Sequence, residues 1–294
     1  MYNKTIGSLW VIIGASCYGL LATSVKKASL EGYHISGLIF LQFFFGILCL
    51  LLMDKKKQKK TSTSSINSKA KKKLLLFGTS VGLTSCFYYL SLKFIPVSTS
   101  IVLLMQTVWM GVALEIFLQR KIENLKIFGS LMVILGTFVA LNVFGEKPKI
   151  NFPGLILGLL SSLSYTATLY ASNQIGLDLS PIKRSKYLMF GGGILVLIFW
   201  NFKIFTENNF LDPLFLGYGL FLALFGTIFP PIFFNIGFPK TGIGLGSILT
   251  SFEIPTSILA AHIVLQEQVL PVQWLGVAII LLSIFLIQWR NLKS

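Results

Sequence analysis

Ten apolar runs of 16–22 residues follow one another along the chain, at 6–25, 35–53, 74–92, 98–118, 127–144, 153–171, 187–202, 214–235, 245–265 and 271–289. A helix needs roughly 20 such residues to cross the hydrocarbon core of a bilayer. A chain divided in this way is an all-α polytopic membrane protein, and the lipid bilayer is its first partner. Composition agrees: 54% of the 294 residues are hydrophobic and only 12% charged, and the mean hydropathy is +0.78. Soluble domains carry about 25% charged residues, so a disordered chain, a disulfide-stapled secreted domain and an ordinary soluble enzyme are all excluded. The first run exceeds the roughly 7–15-residue core of a signal peptide and is expected to be retained.

The excess of 25 basic over 10 acidic residues would suggest nucleic acid in a soluble chain. Here the basic residues sit in short loops between apolar runs, so no nucleic-acid partner is expected. With the N-terminus inside, Lys and Arg divide 19 inside to 6 outside, which places both termini in the cytoplasm. The segment 54–73, with nine lysines and a Ser/Thr-rich middle, reads as a flexible cytoplasmic loop, and Lys147 and Lys149 read as external. Cys17, Cys49 and Cys86 fall inside apolar runs and read as reduced packing residues. There is no Cys-x-x-Cys, and His34 and His262 are the only histidines. No metal and no cofactor is expected.

A shift of 147 residues aligns the two halves without a gap. Tyr18 meets Tyr165, Gly46 meets Gly193, Lys93 meets Lys240, Gln119 meets Gln266 and Gly129 meets Gly276. The chain therefore divides into repeats at 1–147 (with the basic loop 54–73) and 148–294. Five runs per repeat is an odd number, so the second copy must enter the membrane upside down. Ten transmembrane helices arranged as two inverted five-helix repeats are a common plan of secondary transporters. A channel or a sensor built by duplication is the alternative.

Ionisable residues deep in a membrane helix face protein or water and mark candidate sites. Glu253 lies mid-way along the ninth run, and the 147-residue register pairs it with Gln106 in the fourth. Glu115 pairs with His262 nine residues further on, on the opposite face and nearer the surface, where interhelical bonding or snorkelling suffices. On continuous-helix spacing Thr250, Glu253 and Ser257 form one polar stripe. Tyr18 and Tyr165 hold matching central positions, and Trp109 follows Gln106 by one turn. The candidate substrate-binding set is thus Glu253, Gln106, Tyr18, Tyr165, Trp109, Thr250 and Ser257. Such an acid can bind a substrate's amino group or carry a coupling proton, although a plain helix–helix hydrogen bond is also open to it. Pro230, Pro231 and Pro255 remove backbone donors and are candidate kinks or hinges. The triplet Gly191–Gly193 reads as a flexible point in the weak seventh run. An intramembrane enzyme would need a nucleophile and base, or metal ligands, at one depth. Neither His-Glu-x-x-His nor Gly-x-Ser-x-Gly occurs, so no enzyme is expected.

The stretch 234–278, with Lys240, Gly244, Ser247, Glu253, Pro255, Glu267, Trp274 and Gly276, resembles the second-repeat signature of EamA-type transporters of the drug/metabolite transporter superfamily. Tyr89, Lys93, Ser100, Leu118 and Gly129 carry a fainter copy in the first repeat. The family's Gly-Glu turn is replaced by Gln266-Glu267 and Gln119-Arg120. The resemblance implies a multi-pass permease of a bacterial plasma membrane, often an exporter of amino acids or related small polar or amphipathic metabolites. Its central cavity would be walled by the first, third, fourth, sixth, eighth and ninth helices. A coupling proton or counter-substrate would complete the cycle.

Overall fold

The computed structural model describes residues 2–58, 68–95, 97–120, 123–140, 151–201, 203–206, 208–266 and 268–293. Every regular element among them is helical. Helices α1 (Tyr2–Leu30), α2 (Ile35–Gln58) and α3 (Ser68–Ser91) are continuous. The next rod is broken into α4 (Val97–Leu104) and α5 (Thr107–Gln119), and α6 (Asn124–Ala140) follows. In the second half come α7 (Phe152–Gln174), α8 (Pro181–Trp200) and a single turn, α9 (Lys203–Thr206). One long rod then combines α10 (Pro213–Leu222), a π-helical segment (Ala223–Ile228) and α11 (Phe229–Thr241). A second broken rod, α12 (Ile243–Thr250) and α13 (Glu253–Leu265), precedes α14 (Pro271–Lys293).

Among the described residues, seven of these rods are long and apolar enough to cross a membrane. Three of the ten predicted runs are not among them: the run 127–144 is described only as far as Ala140 in α6, α14 counts only over Pro271–Ile287, and α8 carries Lys183, Arg184 and Lys186 in its first two turns. The basic loop is also shorter than predicted. The helix α2 continues to Gln58 and α3 starts at Ser68, because a helix leaving lipid need not stop at the boundary while its lysines are solvated. Residues 59–67, Lys147, Lys149 and Glu267 lie outside the described residues.

Packing is between rods from opposite halves. The helix α3 lies on α7 and α8, α1 on α11 and α13, α5 on α12, and α6 on α14. Where α3 crosses α8 the backbones touch: a Cβ on Gly191 would collide with the Leu75 carbonyl, and one on Gly78 with the Leu188 carbonyl. The glycine triplet of the seventh run is therefore a close-approach surface rather than a flexible point. Small residues let helices meet where lipid offers no hydrophobic drive to association. Large apolar side chains such as Leu76, Phe117, Leu163 and Ile198 point outward and are exposed. Buried serines and threonines bond instead to carbonyls of their own turn, as Ser91 does to Tyr88 and Thr137 to Val133.

Candidate functional site

The two broken rods set the geometry of the interior. In the second, the ring of Pro255 cannot donate to the Ser251 carbonyl one turn back and clashes with it. The chain turns at Ser251–Phe252, and Ile254 N–H bonds the Ser251 oxygen instead, at 3.0 Å. The helix restarts at Glu253, so this carboxylate stands in the first turn of α13, where the helix dipole favours negative charge. Facing it is a partly enclosed cavity. Its wall comes from α1 (Tyr18), α2 (Gln42), α3 (Tyr88, Tyr89), α4 (Ile101, Leu104), α7 (Tyr165, Thr168), the π-helical segment (Gly226) and α13 (Glu253, Ser257). These are the rods of the predicted wall, with α2 added.

Of the predicted residues, Glu253, Tyr18, Tyr165 and Ser257 meet in this cavity. The rings of Tyr18 and Tyr165 stand edge to face with centroids 6.0 Å apart. Gln106, Trp109 and Thr250 lie off its wall. Gln106 donates to the Val102 carbonyl of its own rod at 3.0 Å and accepts from the Trp109 indole at 2.9 Å. Trp109 itself is 44% exposed. Thr250 is buried but spends its hydroxyl on Ser247 O, at 2.7 Å. The cause is the break in each rod, which ends the continuous 3.6-residue phase on which the stripe Thr250–Glu253–Ser257 and the Gln106 partnership rested. The bounds of α4 and α5 precede those of α12 and α13 by 146 residues throughout. So do the left-handed residues Arg120 and Gln266 that end α5 and α13. Thr107, rather than Gln106, thus occupies the place of Glu253. It is buried and shares a 2.8 Å hydrogen bond with Thr166 on α7.

Sequence reasoning passed over Gln42, Tyr88 and Tyr89 as cavity residues. Gln42 is the one amide in its apolar run, a visible signal missed because only ionisable side chains were weighed there. The Tyr89 hydroxyl donates to its Oε1 at 3.4 Å. Three atoms of the wall, Glu253 Oε2, Tyr88 Oη and Tyr165 Oη, are buried with no hydrogen-bond partner among the described residues.

Glu115 is buried, not snorkelling. Its carboxylate takes the Lys126 ammonium of α6 at 2.6 Å and lies over Gly242 and Gly244 at the start of α12. His262 is exposed. Pro230 and Pro231 sit in the first turn of α11, directly after the π-helical segment that absorbs their missing bonds. Phe229 N–H there reaches back to Leu224 O.

The sequence profile of the EamA-like transporter family matches residues 5–142 and again residues 152–289. The chain belongs to this family. Membership makes it a multi-pass membrane transporter of the drug/metabolite transporter superfamily, a class of transporters rather than enzymes. A crystal structure described only as that of a protein overlays on this EamA-like chain with a TM-score of 0.73. It covers 93% of this chain and 96% of its own at 15% identity, so the fold is what the two share. No curated protein matches the EamA-like chain significantly.

Proposed function

We propose that this EamA-like protein is a secondary-active permease or exporter that carries small polar or amphipathic metabolites through the Glu253 cavity by alternating access. The observation that carries the reading is a buried, polar-lined cavity set between two clefts. One turn beyond Ala22 and Tyr89, α1 and α3 open into a cleft lined by Lys26, Ser29, Tyr33 and Lys93. One turn below Val81, α3 and α7 open into another, lined by Lys69, Lys73, Tyr170 and Asp178. Between that second cleft and the cavity stand the Ser80–Thr168 hydrogen bond of 2.8 Å and the Phe77–Tyr170 ring contact.

Ten spans in two inverted repeats fit the pattern of contacts. α1 on α11 answers α7 on α3, α1 on α13 and α12 answers α7 on α5 and α4, and α6 meets its counterpart α14. A pseudo-twofold axis in the membrane plane produces such reciprocal pairs. The 19-to-6 split of basic residues supports cytoplasmic termini, and a bacterial plasma membrane is the location the family resemblance implies. Pro230, Pro231 and Pro255 would serve as hinges, and a proton or counter-substrate would drive the cycle. Purified protein in liposomes tests the reading. Flux of a transported metabolite should saturate, and Glu253→Gln should lower it at least tenfold at unchanged membrane expression. Non-saturable flux would make the protein a channel, and parental flux from Glu253→Gln across pH would remove the acid from the mechanism.

A further inference from the structure

The head group that fits the cavity can be read from what its wall offers and what it omits. Glu253, Tyr88 and Tyr165 are 7%, 6% and 4% exposed; all three line the same cavity, and each has a buried oxygen without a partner among the described residues. A buried polar atom left unpaired is costly, so such atoms are normally satisfied. A carboxylate oxygen only accepts, and a phenol oxygen accepts as well as donates. A primary ammonium has three N–H donors and no acceptor, so each of the three oxygens can receive it.

The aromatic wall favours the same charge. Tyr18 and Tyr165 stand edge to face, and Tyr88 and Tyr89 lie 5.7 Å apart. Ring faces attract cations, more so away from water. Among the described residues the wall contains no Lys, Arg or His, so a ligand carboxylate would meet no counter-ion there. In broken-helix transporters the freed helix N-terminus can hold a substrate's anionic group. Here the first turn of α13 is taken by the chain's own Glu253, which leaves room for a group of opposite charge. Leu21, Val81, Ile101 and Leu104 supply an apolar side for the rest of the ligand.

We infer that the cavity recognises the primary ammonium of a monocationic amine with an apolar body, and discriminates against the zwitterionic head of an α-amino acid. The inference rests on the transporter reading only in calling this ligand the substrate. The test is calorimetric binding to the full-length protein in lipid nanodiscs. The probes are 2-phenylethylamine, its N,N,N-trimethyl analogue, 2-phenylethanol and L-phenylalanine. The primary amine should bind at least tenfold more tightly than the alcohol and the amino acid, and at least threefold more tightly than the trimethyl analogue. Glu253→Gln should weaken amine binding at least tenfold. Tyr88→Phe and Tyr165→Phe should each weaken it about threefold and leave the trimethyl analogue unaffected. The tyrosine variants decide the matter should Glu253→Gln fail to fold. Equal affinity for phenylalanine, the alcohol or the trimethyl analogue would overturn the inference, as would no amine binding to the folded parent or unchanged binding in the variants. Amine binding without flux in liposomes would overturn the transporter reading and leave the inference standing. Saturable flux of other metabolites without amine binding would do the reverse.

Discussion

Arg184 sits in the interior with 2% of its surface exposed, its guanidinium bonded to backbone carbonyls. Nε donates to Ile175 O at 2.9 Å, Nη1 to Asn235 O at 2.8 Å, and Nη2 to Ala171 O and Ser172 O at 3.2 and 2.6 Å. The carbonyls at 172 and 175 belong to the end of α7, where a helix leaves its last acceptors unpaired and welcomes a cation; the Ala171 carbonyl there also takes the Ile175 N–H, at 3.1 Å. The fourth is freed by Pro239, which has no N–H to return to Asn235. In the sequence Arg184 counts only as one more inner-loop charge. Its role was not legible because carbonyl positions are not written in side-chain pattern. Arg184→Ala strands the carbonyls at 172, 175 and 235, each worth about 1–3 kcal/mol if left unsatisfied and less where water follows. Thermal unfolding in detergent should shift down by several degrees, with Arg184→Lys in between; an unchanged midpoint would show the clamp to be idle. At the other end of the molecule the Tyr33 hydroxyl donates to Asp212 at 2.6 Å. That bond pushes Tyr33 up to about 12 and, with the Leu214 N–H, holds Asp212 below the usual carboxylate value. The contact is therefore fully present between the two ordinary values. It is lost on the alkaline side as pH rises through the Tyr33 value, and on the acid side as pH falls through that of Asp212. Phenolate absorbance should show Tyr33 titrating nearer 10 in Asp212→Ala, and no displacement of that titration would refute the coupling.

Elements were legible at their centres and not at their joints. Apolar runs located the rods because period and length suffice for a helix in lipid. Pro255 advertised the interruption of its rod, whereas the matching break at Met105–Gln106 has no proline to signal it. That unsignalled break moved Gln106 off the cavity and put Thr107 against Thr166, while Glu253, Tyr18 and Tyr165 stayed legible because burial and depth alone placed them. The glycines separate in the same manner. Gly191 packs backbone to backbone on α3, whereas a Cβ at Gly217 in α10 meets nothing within 4 Å. Gly191→Ala must push α8 from α3 and should be clearly destabilising. Gly217→Ala should be neutral or stabilising by up to ~1 kcal/mol, through helix propensity alone. Unfolding midpoints of the two variants measured side by side check this, and equal effects would count against the close crossing.

At the scale of the whole molecule, the duplication read from sequence and the reciprocal contacts of the two halves bear on how the protein could move. Rods of opposite halves pack on each other, so a change that parts α3 from α7 at one end need not disturb α1 against α11. In the structure α3 and α7 are held together below the cavity by Ser80 and Thr168, whose hydroxyl oxygens are 2.8 Å apart. Alternating access requires that this pair separate in one half of the cycle, whereas a static scaffold or a pore lying elsewhere would tolerate its fixation. Two cysteines at these positions bring their sulfur atoms within reach of a disulfide. In a background with Cys17, Cys49 and Cys86 replaced, Ser80→Cys/Thr168→Cys should transport under reducing conditions and lose flux at least tenfold on oxidation, with recovery on reduction. Each single cysteine should be insensitive to the oxidant. Cross-linked protein that still carries its substrate at the reduced rate would mean that α3 and α7 do not part at this point, and that access from the Lys73 and Asp178 cleft is not gated there.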